Sequence, residues 1–317
     1  MRGELFRIFD APAPAYFVLL LTGFLFATAA GTAWARRVGQ DPDVIVDLGL
    51  AALLLGVVGG KLLHVIADGY FTDYVNLCVA PEKVSWHVEQ SMCTEHLHGV
   101  WDGAAAVCHP ATSDCFAWAK FWNPGYAYYG GFVFASLGAW WLLRHDRFPF
   151  WKAADMAGFA VPLGLGFGRM GCLLAGCCFG APTTSGPALV FPPGSSASEA
   201  ETKLGLLQSA HSWSLAVYPT QIYESGACLL IALFCLAVVH ERKRYDGQVF
   251  VWFMGLYAIA RFILEFFRAD DRGSAAGLST SQLIGIVLLA LAVALHFVLA
   301  GYAKSAIAKR AARTQAA

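Results

Sequence analysis

The sequence predicts an all-α, polytopic integral membrane protein with seven transmembrane helices, an external N-terminus and a cytoplasmic C-terminus. Of the 317 residues, 57% are hydrophobic and only 14% are charged, whereas about 25% of the residues of soluble domains are charged. The mean hydropathy is +0.54. Long apolar segments recur along the chain, separated by polar loops. This composition excludes an ordinary soluble domain of the same length.

Seven apolar segments are each long enough to cross a bilayer. They cover residues 15–33, 44–67, 125–143, 153–179, 218–239, 247–267 and 280–300. A cleaved signal peptide is the alternative interpretation of the first segment. Arg36 and Arg37 follow it directly and oppose translocation of the next residues, so we favour a retained helix.

The distribution of basic residues predicts the orientation of these segments. Short loops after the first, third, fifth and seventh segments are basic, and they contain Arg36, Arg37, Arg144, Arg147, Lys152, Arg242, Lys243, Arg244, Lys304, Lys309, Arg310 and Arg313. The positive-inside rule assigns such loops to the cytoplasm, which leaves the N-terminus outside. The net charge is zero, and no basic stripe interleaved with aromatic residues indicates a nucleic-acid partner.

We therefore predict a single transmembrane domain over residues 1–317, with two large outer loops and a tail. Residues 68–124 form a cysteine-containing extracytoplasmic insertion, and residues 181–217 form a second extracytoplasmic loop rich in Ser, Pro and Gly. Residues 301–317 form a basic cytoplasmic tail, which we expect to extend the last helix along anionic lipid.

The first outer loop contains four cysteines, Cys78, Cys93, Cys108 and Cys115. On the oxidising side of a membrane, such cysteines indicate one or two disulfides, whose pairing the sequence leaves open. Several histidines lie nearby and make a metal site the alternative. Their spacing matches no zinc template, so we favour disulfides.

Two arginines lie inside apolar segments. Arg169 is within the glycine-rich stretch 164–180, and Arg261 is within the sixth segment. A guanidinium in a membrane helix is costly without an anionic partner, so it marks a functional site by default. The two arginines together predict a pocket for an anionic membrane component.

Arg261 belongs to a polar helix face. Tyr257, Arg261, Glu265 and Arg268 are spaced by four, four and three residues, which places them on one side of a helix. A purely structural ion pair between Arg261 and Glu265 is the alternative. Three charges within two turns of a membrane helix favour a function.

Other polar residues lie at the predicted outer boundary of the membrane. Gln221, Glu224 and Ser225 form a stripe at the start of the fifth segment, although Glu224 could simply complement the helix dipole. Lys61 could extend its amine to the interface. Tyr129 lies in an aromatic run of the kind that anchors helices at interfaces.

Three further cysteines follow Arg169 closely. Cys172, Cys177 and Cys178 could pack between helices, or they could have a redox or metal-binding role. On a continuous helix Cys172 and Cys177 would lie about 140° apart and share a face only loosely. Cys228 and Cys235 are interpreted as packing residues.

Taken together, these motifs resemble those of the prolipoprotein diacylglyceryl transferases. The resemblance covers all seven segments and rests on Tyr16…Gly23-Phe24, Gly59-Gly60-Lys61, Gly130-Gly131, Gly164-Leu-Gly-Phe-Gly168-Arg169-Met-Gly171…Gly176…Gly180, Tyr218-Pro-Thr-Gln-Ile-Tyr-Glu224 and Arg261…Glu265-Phe-Phe-Arg268. It implies transfer of the diacylglyceryl group of phosphatidylglycerol to the lipobox cysteine of a prolipoprotein, with release of glycerol phosphate. We accordingly expect a multi-pass monomer of the bacterial cytoplasmic (inner) membrane that recognises prolipoprotein signal peptides and uses no cofactor or metal.

The resemblance also implies roles for individual residues. Arg169 and Arg261 would hold the phosphoglycerol headgroup, and Glu265 would orient Arg261. The predicted substrate-binding residues are Tyr16, Lys61, Cys172, Glu224, Tyr257 and Arg268.

Three positions depart from the family pattern. Tyr129 replaces an essential histidine, Cys172 replaces the asparagine of a Gly-Arg-x-Gly-Asn signature, and Cys177 replaces a glutamate. Tyr129 is therefore the predicted acceptor of the thiol proton, although a phenol is a weaker base than imidazole at neutral pH. The departures leave two alternatives open: a paralogue that uses its central cysteines for thiol chemistry, and a lipid-binding protein without catalysis.

Overall fold

The computed structural model describes residues 4–8, 11–67, 69–88, 90–120, 125–268, 274–275 and 277–315, and most of them are helical. The helices are α1 (Ala15–Arg37), α2 (Pro42–Ala67), α3 (Phe71–Val79), α4 (Tyr128–His145), α5 (Phe150–Ala175), α6 (Ser196–Lys203), α7 (Thr220–Phe234), α8 (His240–Arg242), α9 (Gln248–Glu265) and α10 (Thr280–Gln315). A π-helical turn (Cys235–Val239) joins α7 to α8, so these two form one continuous rod.

The described strands are short and form three two-stranded antiparallel sheets. β1 (Glu4–Ile8) pairs with β2 (Ala11–Pro14), β3 (Val100–Asp102) with β4 (Val107–His109), and β5 (Ser274–Ala275) with β6 (Leu278–Ser279). The prediction of a helical membrane protein is therefore confirmed at the level of fold class.

Among the described residues, six helical segments are long and apolar enough to cross a membrane. They are Ala15–Arg37, Pro42–Ala67, Phe150–Ala175, Thr220–Arg242, Gln248–Glu265 and Thr280–Ala306. Helix α4 occupies the third predicted segment but is only 18 residues long. Tyr128 and Tyr129 begin it, and Arg144 and His145 end it, so its ends are polar. The seventh crossing therefore stays a prediction.

The chain divides into two compact units. The first contains Met1–Ile45 and Phe148–Ala317, and the second contains Val46–Arg147. In the first unit α5 is central and packs against α1, α7 and α9, while α10 packs against α9. Tyr245, Val251, Met254, Ala292 and Leu299 form the buried apolar cluster between α10 and the α9 region.

Glycines of α5 and α1 allow close helix packing in the first unit. A Cβ atom on Gly23 of α1 would lie 2.6 Å from the Cβ of Phe167 in α5. A Cβ on Gly166 would lie 2.8 Å from Leu229 of α7, and one on Gly158 would lie 2.8 Å from the backbone nitrogen of Phe250 in α9. Small residues are typical of such contacts because the backbones can approach closely.

A buried carboxylate anchors α5 to the start of α9. Asp155 is fully buried, and its Oδ2 accepts a hydrogen bond from Lys243 Nζ at 2.8 Å. Its Oδ1 accepts from the backbone nitrogen of Val249 at 2.8 Å. Because both carboxylate oxygens are paired, this contact stabilises the fold without leaving an isolated buried charge.

In the second unit, the predicted outer loop is held together by two disulfides. Cys78 bonds Cys115, and Cys93 bonds Cys108 of β4. The disulfide interpretation of these cysteines is confirmed, and the structure supplies the pairing that the sequence left open.

The second predicted outer loop belongs to the first unit and has a small apolar core of Phe191, Ala197 and Val217.

Candidate active site

Three helices of the first unit meet at the carboxylate of Glu224. Arg169 of α5 places its Nε 3.0 Å from Glu224 Oε2, and the Glu224 side chain is only 3% exposed. Tyr257 of α9 donates its hydroxyl to Glu224 Oε1 at 3.2 Å. Three residues predicted from separate motifs are thus brought together. Glu224 pairs with a charged residue rather than simply complementing a helix end.

A second ion pair lies one helical turn beyond Tyr257. Arg261 Nη1 is 2.8 Å from Glu265 Oε2, and both side chains are largely buried. Arg261 Nη2 donates to Ser281 Oγ of α10 at 3.2 Å. The predicted shared helix face is confirmed for Tyr257, Arg261 and Glu265, whereas Arg268 lies beyond the end of α9 at Glu265. Tyr257 lies within electrostatic range of both Arg169 and Arg261, so the two ion pairs form one polar region within apolar helices.

The chain turns sharply at Gly176, where the helix that carries Arg169 ends. The prediction of a helical segment through residue 179 is wrong, because α5 ends at Ala175 and Gly176 caps it with a left-handed φ of 73°. Cys178 also has a positive φ, of 60°. This turn folds Cys177 and Cys178 back towards the helix, so the helical angle expected between Cys172 and Cys177 does not apply.

As a result, the three thiols form one cluster. The Sγ atoms of Cys172, Cys177 and Cys178 all lie within 4.8 Å of one another. Cys172 is buried, and the other two are half-buried. Arg169 and Arg268 lie within electrostatic range of Cys178. The cluster therefore borders the Arg169 ion pair.

Neighbouring elements fix the turn that carries the thiols. Thr220 Oγ1 donates to the carbonyl of Cys178 at 2.8 Å, and Gln221 Nε2 donates to the carbonyl of Cys177 at 2.8 Å. Arg268 Nη1 donates to the Cys178 carbonyl at 3.4 Å. Gln221 is 1% exposed, and its Oε1 has no hydrogen-bond partner among the described residues.

Tyr16 borders the same cluster from the start of α1. A Cβ atom on Gly171 would lie 3.1 Å from Tyr16 Cδ2, closer than an ordinary van der Waals contact, so a larger residue would press on Tyr16. Tyr16 lies within electrostatic range of the three thiols and of Arg169. The first unit thus collects eight of the ten predicted site residues, namely Tyr16, Arg169, Cys172, Glu224, Tyr257, Arg261, Glu265 and Arg268.

The other two predicted residues, Lys61 and Tyr129, belong to the second unit. Lys61 is 6% exposed, and its Nζ lies 3.5 Å from the Tyr74 hydroxyl and 5.4 Å from the centre of the Tyr126 ring. Burial raises the pKa of Tyr74, which lies in the outer loop. Tyr129 is 66% exposed, and its ring centre lies 5.7 Å from that of Tyr128.

Several residues of the site are absent from the predicted set. Cys177 and Cys178 share with Cys172 the open alternatives of packing and a redox or metal-binding role but are not among the predicted site residues, and Thr220 and Ser281 carry no signal of their own. The spacing Cys-x4-Cys-Cys after an arginine, with Gly176 as a helix stop, is the signal that could have indicated the cluster. Gln221 belonged to the predicted polar stripe, but its partner lies 44 residues away in sequence.

Comparison with known proteins assigns the chain to a family. A family model described as prolipoprotein diacylglyceryl transferase matches residues 4–298. The chain is 28% identical over 292 residues to phosphatidylglycerol–prolipoprotein diacylglyceryl transferase 2 of Clostridium perfringens, covering 91% of this chain and 92% of that protein. It is 26% identical over 293 residues to phosphatidylglycerol–prolipoprotein diacylglyceryl transferase of Clostridium tetani, covering 92% and 96%. It is also 25% identical over 291 residues to the equivalently named protein of Corynebacterium diphtheriae, covering 91% and 89%. The chain therefore belongs to the prolipoprotein diacylglyceryl transferase family.

Proposed function

We propose that this protein transfers the diacylglyceryl group of phosphatidylglycerol to the lipobox cysteine of prolipoproteins in a bacterial inner membrane. The observation that carries the proposal is the polar region of Arg169, Glu224, Tyr257, Arg261 and Glu265 within apolar helices. Relatives that align along nearly the whole chain bear the name of this activity.

The two arginines are suited to bind the phosphate of the lipid headgroup. A guanidinium can hold two phosphate oxygens with parallel hydrogen bonds, and it is charged at every relevant pH. Glu224 contacts Arg169 at Nε, so the Nη edge of the guanidinium is the edge that would face the phosphate. The carboxylates moderate the cost of burying the arginines while no lipid is bound.

The same charges would assist the bond that breaks. The thiol sulfur forms a bond to the glyceryl carbon, and the bond from that carbon to the phosphate oxygen is lost. Glycerol phosphate leaves with the bonding electrons and gains negative charge. Arginines fixed in a poorly hydrated site stabilise that charge as it develops.

The reaction also requires removal of the proton of the acceptor thiol. We retain Tyr129 as a proposed participant because the family resemblance implies a histidine at its position. A phenol with an ordinary pKa near 10 is only about 0.1% ionised at pH 7. If Tyr129 is the only base near the acceptor thiol, a second group must help to remove the thiol proton.

We further propose the topology and the remaining substrate contacts. Seven crossings, with the N-terminus outside, are supported by the basic loops and by the place of α4 in the sequence, where it follows one apolar helix and precedes another. One transmembrane domain would then carry loops 68–124 and 181–217 outside and the tail 301–317 in the cytoplasm. We propose Tyr16, Cys172 and Arg268 of the first unit as further substrate contacts, Lys61 as a substrate contact of the second unit, and a monomer as the working state.

A reconstituted transfer assay tests the proposed function. The full-length protein is placed in phosphatidylglycerol vesicles with a synthetic peptide that contains a lipobox cysteine. Mass spectrometry should detect the diacylglyceryl group on the peptide thiol. Phosphatidylethanolamine vesicles and a peptide with serine in place of the cysteine are the matched controls. Absence of product with phosphatidylglycerol and folded protein would overturn the proposal.

A further inference from the structure

We propose that Cys172, Cys177 and Cys178 together hold one thiophilic metal ion, zinc by preference, with a fourth coordination position open to a substrate thiol. Two cysteines after the turn at Gly176 and one cysteine on α5 place three sulfur atoms within 4.8 Å of one another. The four loop cysteines are bonded in disulfides, so these three form a separate cluster of free thiols.

The geometry of the cluster suits one ion. Sulfur atoms that bind one zinc ion at about 2.3 Å lie roughly 3.8–4.0 Å apart. The observed limit of 4.8 Å needs only small side-chain rotations to reach that spacing. Three sulfur donors without a carboxylate select thiophilic ions such as zinc and copper(I) over magnesium or calcium.

Charge and hydrogen bonding around the cluster favour its occupation. Three thiolates and a divalent cation leave one net negative charge. Arg169 and Arg268 both lie near enough to Cys178 to stabilise that charge. The buried Gln221 is tied to the Cys177 carbonyl through Nε2. Its Oε1, without a partner among the described residues, is an unused buried acceptor beside the turn that carries Cys177 and Cys178.

The bound ion would supply the thiolate that the transferase chemistry needs, and this role rests on the proposed function. Three protein ligands and one open position are the arrangement of catalytic rather than structural zinc sites. A thiol that coordinates zinc loses its proton. The acceptor cysteine would release its proton to solvent on binding and then attack the glyceryl carbon. Glycerol phosphate leaves with the electrons of the broken carbon–oxygen bond, and the ion keeps its oxidation state.

A metal ion in the cluster would connect the departure at Tyr129 with the departures at Cys172 and Cys177. The family resemblance implies a histidine where this chain has Tyr129, and a phenol is a weaker base than imidazole near neutral pH. Cys172 and Cys177 replace two other family residues, and with Cys178 they form the thiol cluster. Metal activation of the acceptor thiol would compensate for the missing imidazole.

Cobalt(II) is the direct probe of the site, because its visible bands report tetrahedral thiolate coordination. The full-length protein in detergent, with its disulfides intact, is titrated with cobalt(II) and then with zinc. We expect one cobalt(II) per chain with sulfur-to-metal charge transfer, and displacement of cobalt by an equimolar amount of zinc. Zinc should also be present in the isolated protein at close to one equivalent by elemental analysis.

Matched cysteine variants separate coordination from folding. Cys172→Ser, Cys177→Ser and Cys178→Ser should each weaken cobalt(II) binding at least tenfold, and the triple variant should lose the spectrum. Cys228→Ser and Cys235→Ser replace free, buried cysteines outside the cluster and should leave the spectrum unchanged. Alkylation of wild-type protein provides a test without substitution, because zinc should protect three of its five free thiols.

A lipobox peptide distinguishes failure of the metal role from failure of the proposed function. The peptide with cysteine should shift the cobalt(II) bands by adding a fourth sulfur, and the serine peptide should not. If the cysteine peptide leaves the cobalt(II) bands unchanged, the activating role is overturned, whether or not transfer occurs in the separate assay. The site itself is refuted if the triple serine variant binds cobalt(II) as wild type does. A disulfide among the three cysteines in protein isolated without reductant would refute it as well.

Discussion

Arg169 of α5 and Glu224 of α7 form an ion pair, in which the guanidinium Nε lies 3.0 Å from the carboxylate Oε2. The pair links the glycine-rich arginine motif to the polar stripe that begins α7. The Glu224 side chain is only 3% exposed, whereas the Arg169 side chain is 22% exposed. The more accessible partner is therefore the cation, as expected where an anionic ligand is to be bound.

Loss of the Glu224 charge should destabilise the protein. Breaking a buried ion pair typically costs about 3–5 kcal/mol, because the remaining charge is left without a partner. Since Arg169 is partly exposed, we expect Glu224→Gln to lower the free energy of unfolding by about 2 kcal/mol. Tyr257→Phe removes one hydrogen bond to the same carboxylate and should cost about 1 kcal/mol. Denaturant unfolding in detergent measures both; equal stability of wild type and Glu224→Gln would contradict the account of this pair.

Loss of either membrane arginine should remove lipid turnover. Arg169→Ala and Arg261→Ala should each reduce diacylglyceryl transfer at least about a hundredfold, because each removes a donor that stabilises the leaving phosphate. Arg261→Lys should fail too, since lysine cannot form two parallel hydrogen bonds to a phosphate. The transfer assay in phosphatidylglycerol vesicles measures the loss.

Two control variants distinguish this effect from general damage. Arg36→Ala removes an exposed arginine at the end of α1 and should leave transfer unchanged. Asp155→Asn weakens the structural ion pair with Lys243 and should lower stability more than the turnover of the folded fraction. Wild-type turnover in Arg169→Ala would refute the assignment of the headgroup site.

The two disulfides should form in protein taken from an oxidising compartment. The chain has nine cysteines, and five are free in the structure. We expect five labelled thiols in denatured, metal-free protein before reduction and nine after reduction. Peptide mapping should find Cys78 with Cys115 and Cys93 with Cys108. Four free loop thiols, or crossed pairing, would show that the loop is held differently.

Substitutions at Tyr129 and in the thiol cluster should differ in severity. Tyr129 is 66% exposed, and phenols as a class are weak bases at neutral pH, so we expect Tyr129→Phe to lower transfer only about tenfold. Tyr129→His should maintain or raise transfer, because imidazole accepts protons near neutral pH. Replacing Cys172, Cys177 and Cys178 together by serine should reduce transfer to background. A fully active triple variant with an inactive Tyr129→Phe would reverse this order and assign proton removal to Tyr129.

The membrane character and the arginine site were predictable because they depend on local composition and helical spacing. Apolar segments identify membrane helices without knowledge of their neighbours. Arg261 and Glu265 pair at a spacing of four residues, which a helix alone brings together. The residues of this face could therefore be chosen before the fold was known.

The thiol cluster was less predictable because it depends on where one helix ends. Continuing α5 past Gly176 separates Cys172 from Cys177, whereas the left-handed turn at Gly176 brings them together. The Arg169–Glu224 pair likewise depends on the packing of α5 against α7, which the separate motifs do not encode. The polar ends of α4 explain why the third crossing is less distinct than the others.

Complementation of a bacterium depleted of its own transferase tests the central claim most directly. The full-length chain is expressed in that strain, and a lipoprotein is isolated and its N-terminal region is analysed by mass spectrometry. We predict the mass of a diacylglyceryl group on the lipobox cysteine with the wild-type chain, and unmodified prolipoprotein with Arg169→Ala. Accumulation of unmodified prolipoprotein in cells whose membranes contain the folded wild-type chain would contradict the account.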